Sequence, residues 1–217
     1  LSAFYFDSTN TVRQELAAAI FIYAVPYIKE NKFWKYLACI FLASLFHTSV
    51  WLLLPLYFLS KFKINKKILF LVFFIVFLLR NKLNQLVINF VNTSSIYDKY
   101  ENYLNAGRGT VLAYSIITGG ILLIYIFFVK ENDKSKLDMW LIYLGFMFSI
   151  LSAFVPYISR YVLYCLASLI FIVPDMFKNM NPQTKIIPEI MTYLLVGSYT
   201  IYIVFIGNWY QAIPYIS

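Results

Sequence analysis

Residues 111–129, 139–159 and 190–207 contain no Asp, Glu, Lys or Arg. Each run is close to the roughly 20 residues that an α-helix needs to cross about 30 Å of hydrocarbon. Transmembrane β-strands alternate in polarity and are about 10 residues long, so unbroken runs of this length argue against a barrel. The composition agrees, with 61% of residues hydrophobic and 13% charged, against about half and a quarter in soluble domains. The fold class expected is all-α: a polytopic transmembrane helical bundle forming a single integral membrane domain over 1–217.

Polar turns divide the chain into helices at about 12–28, 33–60, 67–90, 110–129, 138–158, 160–177 and 188–207, with an outer loop at 91–110. Asn10 or Thr11 can cap the first helix, and Ala17, Ala18 and Ala19 give it a small-residue face suited to close packing. The chain begins at Leu1 with neither Met nor a signal-peptide n-region, so further N-terminal spans are expected to precede it. Cys39 and Cys165 lie in apolar runs, and there is no CxxC or Cys/His cluster, so neither a metal site nor a disulfide framework is indicated. The formal charge is +8. No basic patch with interleaved aromatics forms a domain of its own, which points to positive loops at a cytoplasmic face and not to nucleic acid.

Two topologies are open for 33–60: one tilted helix, or a re-entrant helical hairpin turning near His47. A single crossing leaves ten basic residues on one side and eight on the other. A hairpin leaves twelve of the fourteen lysines on one side and all four arginines, Arg13, Arg80, Arg108 and Arg160, on the other. The second partition obeys the positive-inside rule better. It also gathers the side chains best suited to bidentate contacts with phosphate on the outer face. A turn at membrane depth must be buried in protein or line a wet cavity.

His47 is the chain's one histidine and is flanked by long apolar stretches. An ionisable residue is costly in a membrane segment, which makes it a candidate base or ligand to a polar substrate; packing against a neighbouring helix is the bland reading. Arg13 opens a helix, where its charge opposes the macrodipole, so an anion is expected nearby: Glu15, Asp7 or a substrate phosphate. Arg160 also heads a helix, where free N–H groups and a guanidinium suit an anion, or lipid headgroups take it up by snorkelling. Arg108 sits between two glycines on the polar stretch, free to clamp a ligand or to remain solvated. Tyr97, Tyr100 and Tyr103 share one face if helical, beside Asp98 and Glu101. Such a face suits a sugar ring or an interfacial aromatic belt. No Walker loop, GxGxxG, HExxH or GxSxG is present.

Taken together, VRQELAAAI, FLASLFHTSVWLLLPLYF, the YDKYENY loop and SRYVLYCLASLIFIVP resemble the EpsG family of Wzy-like polysaccharide polymerases. The resemblance runs over nearly the whole chain, and family members are usually longer. It implies a multi-pass protein of the bacterial cytoplasmic membrane that joins undecaprenyl-pyrophosphate-linked oligosaccharide units by glycosyl transfer at the outer face, with no cofactor and no metal. Membrane lipids and other polysaccharide-assembly proteins would be its partners. Arginines would then stabilise the leaving pyrophosphate. Arg13 and Arg160 come first for that role and Arg108 third. His47 would take the acceptor hydroxyl's proton or orient the pyrophosphate, and Asp98 is a second candidate base. A flippase or transporter of lipid-linked sugars, an envelope O-acyltransferase and a non-catalytic scaffold are the competing classes.

Overall fold

The computed structural model describes residues 12–62, 65–92, 108–130, 136–152, 158–202 and 204. Within them the chain forms α1 (Val12–Lys29), α2 (Phe33–Ser44), a 3₁₀ segment (Thr48–Leu53) and α3 (Leu56–Leu59). Then follow α4 (Lys66–Asn92), α5 (Arg108–Phe128), α6 (Lys136–Leu151), α7 (Ser159–Lys178) and α8 (Ile186–Ile201). The described residues hold no strand, and the β-type pairing there is an isolated antiparallel bridge between Val129 and Met180.

Small residues decide how closely the helices approach. On α1, Ala17, Ala18, Phe21, Ala24, Val25 and Ile28 are buried along one face, and that helix packs against both α2 and α7. α6 lies between α5 and α7, with α8 on the other side of α5. Where α6 meets α7, a Cβ built on Gly145 would stand 2.9 Å from the Cβ of Cys165. Only a residue without a side chain allows that approach. Thr118 of α5 completes the junction, its hydroxyl donating to the Tyr114 carbonyl oxygen at 2.6 Å and lying 3.2 Å from Ser149 Oγ of α6.

The continuous helix that was one alternative for 33–60 does not form. The amides of Phe46 and His47 both turn back to the Ala43 carbonyl, and His47 itself is extended at φ −150°, ψ 113°. The chain then returns beside α2. Tyr36 Oη donates to the Leu53 carbonyl at 2.7 Å, Tyr57 Oη donates to the Asn31 carbonyl at 2.9 Å, and the Phe33 and Tyr57 rings are 5.0 Å apart. Residues 33–60 are therefore a helical hairpin with its tip at His47. Asn31, at φ 57°, makes the tight turn that feeds it. Asparagine tolerates this left-handed conformation better than most residues.

The hairpin gives the bundle two chemically different ends. At one end Lys29 pairs with Asp138 and Asp175, Trp140 Nε1 donates to the Phe62 carbonyl, and the Lys130 amide donates to the Asn179 carbonyl. Lys29, Lys32, Lys35, Lys61, Lys130, Lys136 and Lys178 gather there. The first turns of α1, α5 and α7 start at the other end, where the turns that carry Arg13 and Arg160 are joined. Among the described residues α7 is long and apolar enough to cross a membrane, while Phe33–Ser44, Thr48–Leu59, Ala113–Phe128 and Ile186–Ile201 are shorter apolar helices. Helix α8 exposes Ile186, Ile187, Ile190, Met191, Tyr193 and Leu194.

Candidate functional site

The arginine end is tied together by one long-range hydrogen bond. Gln14 Nε2 of α1 donates to the Arg160 carbonyl oxygen of α7 at 2.9 Å, and Gln14 is buried there. An amide buried in an apolar bundle needs such a partner. The bond fixes the first turn of α1 against the first turn of α7. Arg13, the neighbour of Gln14, is exposed, whereas Glu15 is 5% exposed. The two charged residues thus leave α1 on different sides. Glu15 faces inward.

Tyr164 links this corner to the hairpin. Its hydroxyl lies 3.1 Å from Ser49 Oγ, and Ser49 Oγ lies 2.7 Å from His47 Nδ1. The Tyr164 ring is fully buried and meets Phe21 of α1 edge-on at 6.0 Å. Tyr164 follows Arg160 by four residues, one turn of α7, so the Ser49 contact carries His47 to the helix turn that holds Arg160. His47 therefore belongs to the same corner as Arg160. Tyr164 lies only five residues beyond Ser159, the first residue of α7, or about 7 Å along the helix axis. His47 accordingly stands near the second turn of α7, not at mid-bundle.

Of the residues singled out in the sequence, the structure brings His47, Arg160 and the Arg13 turn together. Arg108 is the first residue of α5, two residues inside the stretch read as loop, so it opens a helix as Arg13 and Arg160 nearly do. Each of the three helices directs its positive dipole end toward the same side. Tyr97, Asp98, Tyr100 and Tyr103 lie outside the described residues. Sequence reasoning passed over Gln14, Ser49 and Tyr164, and took Glu15 only as a partner for Arg13. The signal for Gln14 and Glu15 was available: two polar residues facing into an apolar helix are as costly as a buried histidine. Tyr161 adds a half-buried ring beside Arg160, 5.5 Å from the Phe148 ring and 6.5 Å from that of Tyr164.

A corner with two arginine-bearing helix starts, one imidazole and an aromatic wall can hold an anion beside an apolar or sugar-like surface. Comparison with curated proteins and with solved structures gives no match. The sequence model of the EpsG family, a membrane-associated family with a Wzy-like, polymerase-type role, matches residues 1–217. With the match running over the whole sequence, the chain belongs to the EpsG family.

Proposed function

We propose that the chain is a multi-pass polysaccharide polymerase of the bacterial cytoplasmic membrane. It joins oligosaccharide units carried on undecaprenyl pyrophosphate by glycosyl transfer at the outer face. In the reaction a hydroxyl oxygen of the acceptor unit bonds to the anomeric carbon of the donor. The bond from that carbon to the phosphate oxygen breaks, its electron pair leaving with the pyrophosphate. The hydroxyl proton passes to a carboxylate, for which Asp98 is the candidate, or to water at the membrane face. Negative charge builds on the leaving phosphate, so the groups that accelerate the step are preplaced cations and N–H donors. Arg13 and Arg160 take that role, Arg108 supports it, and Tyr97, Tyr100 and Tyr103 hold sugar rings. The lysine end faces the cytoplasm and the arginine end faces outward.

The observation that carries this reading is the Gln14–Arg160 hydrogen bond. It holds two arginine-bearing helix starts side by side, with His47 joined through Ser49 to Tyr164, one turn beyond Arg160. The test is polymer formation by purified protein from a synthetic lipid-linked repeat unit. Arg13→Lys and Arg160→Lys keep the charge but lose the planar fork. Each is expected to lower polymer yield roughly tenfold or more at matched abundance. Wild-type yield in both variants would remove the phosphate-binding assignment. Transfer of the lipid-linked unit across the bilayer with no polymer ladder would make the protein a transporter instead.

A further inference from the structure

The His47 ring carries hydrogen bonds whose direction can be worked out. Its Nδ1 accepts the backbone N–H of Ser49 at 3.3 Å, capping the 3₁₀ segment. A backbone amide can only donate, so Nδ1 presents a lone pair and the proton of the neutral ring sits on Nε2. The Ser49 hydroxyl, 2.7 Å from the same Nδ1, must then donate to it. That leaves Ser49 Oγ free to accept from the Tyr164 hydroxyl at 3.1 Å. The result is a chain with one polarity, from Tyr164 to Ser49 to His47. Tyr164 is fully buried on α7 and braced by Phe21, so the chain is anchored on the helix that carries Arg160.

This arrangement decides between the two roles open to His47. A general base needs an unoccupied lone pair facing the hydroxyl it deprotonates. The lone pair of Nδ1 is already engaged twice. What the half-exposed ring still has to offer is Nε2–H, and donation into Nδ1 draws density from the ring and strengthens that donor. We propose that Ser49 and Tyr164 are positioning residues that hold His47 as an Nε2–H donor, so that it binds a pyrophosphate oxygen together with Arg160. The identity of the anion rests on the polymerase reading, and the protonation pattern of the ring does not.

Because the chain has a single histidine, labelling histidine with ¹⁵N reports this site alone. Wild-type protein in lipid nanodiscs at neutral pH is expected to show an unprotonated Nδ1 and a protonated Nε2, and inorganic pyrophosphate should shift the Nε2 resonance. Ser49→Ala should raise the Nδ1–H population roughly tenfold, the effect of losing one such hydrogen bond, and should lower polymer yield. Ser49→Thr, which keeps the hydroxyl, should restore both. Tyr164→Phe keeps the ring that packs on Phe21 and should give a smaller change in the same direction. A protonated Nδ1 in the wild type, or the wild-type pattern in both Ser49→Ala and Tyr164→Phe, would overturn the proposal. The expected tautomer and its response to Ser49→Ala, without polymer from the wild type, would sustain the positioning role and overturn the polymerase reading.

Discussion

Replacing Lys29 with methionine removes the cation from a buried carboxylate. Lys29 Nζ lies 3.0 Å from Asp138 Oδ1 and 3.6 Å from Asp175 Oδ2. The Asp138 side chain is 5% exposed, against 29% for Lys29 and 39% for Asp175. At 3.0 Å and an effective dielectric of about 20, the gross attraction is roughly 5 kcal/mol. Desolvation of the two charges offsets much of that. The asymmetry of burial matters more. Lys29→Met leaves Asp138 buried without its counter-ion, and breaking a buried pair in this way costs about 3–5 kcal/mol. The partial exposure of Lys29 favours the lower figure, about 3 kcal/mol. Asp175→Asn should cost under about 1 kcal/mol, as exposed pairs do. Lys29→Met/Asp138→Leu should recover most of the loss, because an apolar pair of similar volume replaces the ions at little net cost. The assay is a double-mutant cycle on unfolding free energy in mixed micelles. A cost below about 1 kcal/mol for Lys29→Met, or no recovery in the double variant, would refute the reasoning.

Gly145→Ala places a methyl 2.9 Å from the Cys165 Cβ and should destabilise by about 1–3 kcal/mol, measured as above. Cys165→Ala, which keeps that Cβ, should give no relief, and Cys165→Gly should give some. Single cysteines introduced at Lys61 or Lys32 in a Cys39→Ala/Cys165→Ala background should react with an impermeant maleimide only after the membrane is opened, and labelling from outside would sink the cytoplasmic assignment of the lysine end.

The helices were legible because their signal is local. Each apolar run is bounded by turns of Lys, Asn, Asp or Gly, and α1 is observed over Val12–Lys29 and α7 over Ser159–Lys178, where the sequence suggested 12–28 and 160–177. The hairpin could only be raised as one of two options. Nothing in 33–60 breaks the apolar pattern strongly enough, and the break at His47 comes from an extended backbone capped by its own side chain. What favoured the hairpin was the charge count, a property of the whole chain. The observed reversal, which returns 53–57 beside 31–36, matches the arrangement that separated lysines from arginines.

The candidate site was legible to the extent that its residues are expensive. His47 and the arginines stand out because a charge in or beside hydrocarbon needs a reason. Ser49 and Tyr164 do not stand out, because serine and tyrosine are cheap in such helices and 19 tyrosines offer no way to choose one. Their importance arises from contacts across 115 positions of sequence, which no local pattern encodes. The same holds for Gln14, whose partner is a backbone carbonyl 146 positions away. A buried amide would gain nothing by pairing with a distant helix if that helix could slide. The two helices are instead held twice, by Gln14 at the arginine end and by Lys29 with Asp175 at the lysine end. Two ties at opposite ends of α1 and α7 fix their stagger as well as their distance. For two forked side chains proposed to meet one diphosphate, stagger is the quantity that matters, since a slip of one residue moves a guanidinium about 1.5 Å along the axis and turns it by about 100°. In the proposed site, Gln14, which sequence reading passed over, thus helps to set the aim of the arginines it found.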